Sequence, residues 1–170
     1  HVRKVLSDIK RVYPGYNEEK GFELAGFVWF QGWNDMVASG TYPNRGQAGG
    51  YDAYTDCLAH FIRDVRKDLE APKMKFVIGV MGVGGPLEQY ASQRYVPIHG
   101  AFREAMAAPS LMPEFKGNVF AVRTAKFWDM RLKELEDKQE QVKQMAGFLK
   151  NKHKEHANRD GSMSVSEQKE

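Results

Sequence analysis

One cysteine, Cys57, is the only thiol in the chain, which excludes an internal disulfide and any cysteine-based zinc cluster. No apolar run approaches the roughly 20 residues that cross a bilayer, so no membrane span is expected. Neither sign of charge dominates. The 25 basic and 22 acidic residues are interleaved to a net charge of +3, which leaves no basic stripe for nucleic acid to follow. None of the serines sits in a G-x-S-x-G elbow, and no serine has a His or Asp at a spacing that suggests a triad. The glycine run GVMGVGG at 79–85 lacks the Lys-Ser/Thr of a phosphate-binding P-loop. The first twelve residues lack the charged-then-apolar order of a signal peptide.

What is present is ordinary globular material. With 170 residues, 42% of them hydrophobic, the chain matches one domain, which at this length buries ~70% of the surface its unfolded form exposes. Val2, Val5, Leu6, Ile9 and Val12 recur at helical spacing and predict an amphipathic helix over 1–12, stopped at Tyr13-Pro14-Gly15. FELAGFVWF (22–30) has β-branched and aromatic residues without helical period, which predicts a strand buried on both faces. Glycine and turn formers fill 37–51, and loops of that length are more often functional than not. Tyr54, Leu58, Phe61, Ile62, Val65 and Leu69 predict a helix from Asp52 that closes near Ala71-Pro72. KFVIGVMG (75–82) and GNVFAVRTA (117–125) read as further strands, with a glycine-bearing loop at 82–95 and a helix starting near Pro97 between them. A long helix is expected from Met130 to His153, with Leu132, Leu135, Val142, Met145, Phe148 and Leu149 turned inward. Residues 155–170 form a polar tail.

Strand, helix, strand, helix, strand, helix is the alternation of an α/β fold with a parallel sheet and covering helices. Ligands in such sheets bind beyond the carboxyl ends of the strands. Gln31 to Asp35 and Gly82 to Gly85 fall at two of those ends. There the side-chain amide of Asn34 has two readings: a donor aimed at a developing oxyanion, or, with Asp35, a turn or helix cap. Spacing alone leaves both open. Among the histidines, His60 reads as structural, inside an amphipathic helix, while His99 is a site candidate beside a glycine-rich loop. In the tail, HANRDGSMSVSE lays onto the calcium-loop pattern through Asn158, Asp160 and Glu167, but His156 occupies the first position, where calcium needs a hard oxygen ligand. The competing reading is a turn at Asp160-Gly161 and a helix start at which Ser164 caps toward Glu167.

Several separated motifs agree in order with one family. GFVWFQGWND, the GTYPN that follows it, LAHFIRDVRKDL and FVIGVMGVGGP together resemble the sialate O-acetylesterase-like, carbohydrate esterase branch of the SGNH (GDSL-type) hydrolases, over most of residues 1–150. The resemblance implies a three-layer α/β/α, flavodoxin-like arrangement for residues 1–154 and a serine ester hydrolase that removes O-acetyl groups from sugars without a cofactor. Gly32-Trp33-Asn34-Asp35 matches the family's G-x-N-D block, which implies an oxyanion hole from Gly32 and Asn34. Gln31, Trp33, Asp35, Gly84 and Gly85 would then contact the acetylated carbohydrate. Trp33 stands where that branch usually has glutamate.

The family's serine block and histidine block have no counterpart in this chain. The resemblance therefore implies an internal segment of a longer esterase, whose partners are the remaining N- and C-terminal parts of the parent, and whose parent is exported to the periplasm or beyond. An incomplete sheet of this kind has an unpaired edge, which invites association. The rivals are a non-catalytic carbohydrate-binding or scaffolding domain of the same fold, and a flavodoxin-like protein that retains phosphate or flavin.

Overall fold

A computed structural model describes residues 1–90 and 93–169, in two compact units, His1–Phe127 and Trp128–Glu170. Residues 91 and 92, inside the loop expected at 82–95, lie outside the described residues. The protein is α/β. No helix among the described residues is long and apolar enough to cross a membrane.

The first unit opens with α1 (Val2–Leu6) and a 3-10 turn at Ile9–Arg11 in place of the single helix expected over 1–12. The break falls at Ser7-Asp8, where the Ser7 hydroxyl donates to Lys4 O at 3.2 Å. Such local bonds compete with helix propagation, and a helix this short has little tertiary packing to offset them.

Three parallel strands, β1 (Gly26–Trp29), β2 (Lys75–Val80) and β3 (Val119–Arg123), form a sheet in the order β1-β2-β3. Phe27 pairs with Phe76 and Trp29 with Ile78; Phe76 pairs in turn with Val119 and Ile78 with Ala121. Those residues share one face, and α3 (Asp52–Asp68) and α4 (Val96–Ala107) cover it. Phe76, Ile78, Ile62, Phe102 and Met106 are fully buried there, each side chain stabilising the fold by about 1.5–3 kcal/mol.

The opposite face differs from the expectation for 22–30. Val28 is 70% exposed and Phe30 65%, and Phe120 and Val122 on β3 are exposed as well. Strand β1 is therefore covered on one side only, and it is a short edge strand that pairs only with β2 among the described strands.

Helix α3 follows its apolar spacing closely: Tyr54, Leu58 and Ile62 are buried, and Arg66 and Lys67 occupy the last turn, where cations complement the helix dipole. Its end is a Schellman closure. The Ala71 amide donates to Arg66 O at 2.9 Å and the Glu70 amide to Lys67 O at 3.1 Å, with Glu70 at φ 53° in the left-handed position that glycine usually fills.

In the second unit α5 (Met130–Lys150) starts where expected, with the Asp129 carboxylate accepting from the Leu132 amide at 3.0 Å. It ends three residues short of the expected His153. None of its residues is buried, and Leu132, Leu135, Val142 and Met145 are about half exposed or more. Among the described residues the inward face expected for this helix is covered only at its carboxyl end, where the Phe148 ring stacks on His156 at 4.5 Å between centroids and Leu149 is half-buried.

Candidate functional site

Strand β1 runs through Phe30 into a tight turn at Gln31-Gly32, and α2 (Trp33–Val37) starts immediately, with the Met36 amide donating to Gly32 O at 3.0 Å. Gly32 is the residue this geometry requires. A Cβ built there would stand 2.8 Å from Cζ of Phe102 and 3.2 Å from the Tyr54 hydroxyl, distances that only a hydrogen at that position allows. The Tyr54 hydroxyl accepts from Trp29 Nε1 at 3.4 Å and donates to Gln31 O at 3.3 Å. One phenol thereby ties the end of the strand to the turn. Burial pushes this hydroxyl up to about 12, so it stays protonated and keeps donating. One helical turn later the Tyr51 hydroxyl donates to Met36 O at 2.6 Å.

This scaffold presents Gln31, Trp33 and Asn34 outward. They line a cavity of about 310 Å³ with Phe30, Gly32, Gly79 and Met81. Asn34 is the second residue of α2, its side chain makes no capping bond, and no partner for its amide occurs among the described residues. Trp33 is 50% exposed at the rim. The Phe30 ring lies over Gly79, where a Cβ would fall 2.3 Å from its Cδ2, so glycine in mid-strand makes room for the cavity wall.

Asp35 turns the other way. Its carboxylate lies beside Tyr42, whose hydroxyl is raised first by burial and then by that charge. Gly84 and Gly85, at φ 82° and 83°, are not in the cavity wall; they shape the loop after β2.

That loop is held by a cluster of three side chains. The Tyr90 oxygen lies 2.6 Å from Val83 O, 2.8 Å from His99 Nδ1 and 3.0 Å from Arg103 Nη2. A phenol has one proton, and the carbonyl needs it. With that proton directed at the carbonyl, the Tyr90 oxygen is left to accept from its other neighbours, Arg103 Nη2 and, in the tautomer that carries hydrogen on Nδ1, His99. Burial first, then the neighbouring Arg103 charge, hold His99 below its ordinary 6.5, while its bond to the Val83 carbonyl acts the other way. His60, in contrast, is exposed on α3, with Nδ1 3.4 Å from Arg63 Nη1.

In the tail the three calcium candidates are engaged in local bonds. Asn158 is 2% exposed, donates from Nδ2 to Leu149 O at 2.8 Å and accepts at Oδ1 from the Met163 amide at 2.9 Å. Asp160 accepts from the Ser162 amide and hydroxyl. Glu167 accepts from the Ser164 amide at 2.7 Å while Ser164 Oγ accepts from the Glu167 amide at 3.3 Å, a reciprocal capping box. Among the described residues no group of three or more His, Cys, Asp or Glu is placed to hold a metal ion.

The structure thus brings Gln31, Gly32, Trp33 and Asn34 together and separates them from Asp35, Gly84 and Gly85. Phe30, Gly79 and Met81 complete the wall, and periodicity marked them only as strand residues. Arg103 had no signal beyond its place in an apolar helix. No family model matches the chain, and neither a curated protein nor a solved structure does.

Proposed function

We propose that this chain is the oxyanion-hole segment of a carbohydrate O-acetylesterase of the SGNH type, with the serine nucleophile and its histidine base supplied from outside these residues. One observation carries the reading: the Asn34 amide stands exposed, and without a partner among the described residues, on the same cavity wall as Gly32, at the carboxyl end of a parallel strand. A side chain that only capped α2 would spend its oxygen on a backbone amide. Here the turn is closed by Tyr54 and Gly32 instead, and the amide is left to donate to the oxygen that becomes negative when an acetyl ester is attacked. Gln31 and Trp33 border the sugar, and the ester chemistry needs no cofactor. The third layer of the family's α/β/α arrangement belongs to the same proposal, as the cover for the face bearing Val28 and Phe120.

The test is turnover of acetylated oligosaccharides by the full-length protein that contains this segment, before and after Asn34→Ala. Loss of acetate release in the variant supports the assignment, and equal release in both refutes it. A second reading, a carbohydrate-binding domain without catalysis, is favoured by the cavity wall itself, since Phe30, Gln31, Gly32, Trp33, Asn34, Gly79 and Met81 include no nucleophile. It requires sugar binding with no acetate release by the full-length protein.

A further inference from the structure

A second cavity of about 310 Å³ opens at the carboxyl ends of β2 and β3, lined by Met81, Arg103, Glu104, Arg123, Thr124 and Lys126 among others. Its deepest charge is Arg103, only 6% exposed. The guanidinium gives its Nη2 group to Val83 O, Gly85 O and the Tyr90 oxygen at 2.9, 3.0 and 3.0 Å. Among the described residues its Nε hydrogen and both Nη1 hydrogens have no acceptor, and no carboxylate lies within ion-pair distance. Two acids line the cavity and neither pairs with Arg103 among the described residues: Glu104 is engaged through both oxygens with Arg123, at 2.7 Å each, and Glu88 is exposed.

A buried cation whose remaining donors face an open cavity is expensive unless an anion completes it. No side-chain nitrogen of Arg103 is both buried and unbonded, so each unspent donor keeps some exposed surface, and Arg103 lines this cavity. Lys126 stands at the rim, exposed, with Nζ 4.9 Å from the Phe127 ring centre. The cavity therefore holds one cation in its wall with donors to spare, a second, Lys126, exposed on its lining, a third already paired with Glu104, and one exposed acid, Glu88.

We propose that this cavity binds a small oxyanion, a carboxylate or phosphate group, with Arg103 as the anchoring cation and Lys126 as a second contact. The proposal is independent of the ester chemistry above, because it concerns a different cavity, and it stands or falls without any hydrolytic activity.

The test uses the protein itself, titrated at constant ionic strength with sodium acetate and separately with inorganic phosphate, while the arginine Nε–H resonances and the melting temperature are followed. Saturable binding that shifts one arginine Nε–H resonance, absent in Arg103→Met, is expected. Loss of a charge-assisted bond at a buried site is worth more than about tenfold in affinity. Lys126→Ala weakens binding by about two- to fivefold, the range of an exposed charge pair, and Lys67→Ala, at the far end of α3, leaves it unchanged. If Arg103→Met fails to fold, the comparison of Lys126→Ala with Lys67→Ala decides: equal weakening by both overturns the site, as does the absence of saturation with either anion. Tighter phosphate binding identifies a phosphoryl ligand, and tighter acetate binding a carboxylate.

Discussion

Gly32 lies against Phe102 so closely that a methyl group in place of its hydrogen would sit 2.8 Å from the ring's Cζ. Phe102 is fully buried, edge-on to Tyr51 at 4.9 Å and tilted to Tyr54 at 4.7 Å between ring centroids, and cannot yield without displacing them. Gly32→Ala should destabilise the fold by about 1–3 kcal/mol, the usual cost of overpacking a core. Urea unfolding measures it, and an unchanged midpoint would show that the turn tolerates a Cβ.

Asn34 supports the opposite expectation. Its side chain is exposed and unbonded among the described residues, so Asn34→Ala should shift stability by no more than about 0.5 kcal/mol. If the proposed role holds, acetyl-ester turnover by the full-length protein should fall by about 10²–10³. Rate and unfolding midpoint must be measured on the same variant, because a parallel fall in both would mark a folding defect rather than a lost donor.

His99 makes the first unit sensitive to acid in a definite direction. Its imidazole is held below the ordinary 6.5 by burial and by Arg103, so near and below that pH the unfolded chain binds more protons than the folded one. Stability is therefore fully present above the unfolded value and declines as pH falls through it toward the depressed folded value. His99→Gln should flatten the dependence of melting temperature on pH between about 7 and 5. A profile as steep as that of the unchanged protein would assign the sensitivity to other groups.

Glu70 holds φ 53° in the Schellman closure of α3. A side chain in that conformation costs roughly 1–2 kcal/mol, and a carboxylate near a helix carboxyl end is also disfavoured by the dipole. Glu70→Gly should stabilise the protein by about 1 kcal/mol, read from the denaturation midpoint. A loss of stability would mean that the carboxylate makes a compensating contact with the cations around it.

Much of the fold is legible residue by residue. The i, i+4 spacing of Tyr54, Leu58 and Ile62 places α3 on its buried face, and the apolar runs at 75–82 and 117–125 place β2 and β3 within a few residues. The reading fails where burial depends on a neighbour. FELAGFVWF has the composition of a doubly covered strand, yet Val28 and Phe30 face outward because no element among the described residues packs on that side of β1. Leu132, Leu135, Val142 and Met145 of α5 look like part of an inward stripe and are likewise exposed.

The site divides along similar lines. That β1 should deliver Gln31, Gly32 and Asn34 to a sheet's carboxyl end follows from strand order and the rule that ligands bind there. Which of Asn34 and Asp35 faces the cavity does not follow, because that depends on how Tyr54 and Phe102 seat the turn across more than twenty and sixty intervening residues. Arg103 is the sharpest case. In the chain it is one charged residue in an apolar helix; only when α4 lies beside the loop after β2 do Val83, Gly85 and Tyr90 take part of its guanidinium and leave the rest facing a cavity. Local periodicity is written in neighbouring residues, whereas partnership of a buried polar group is settled by residues that meet only when the chain folds.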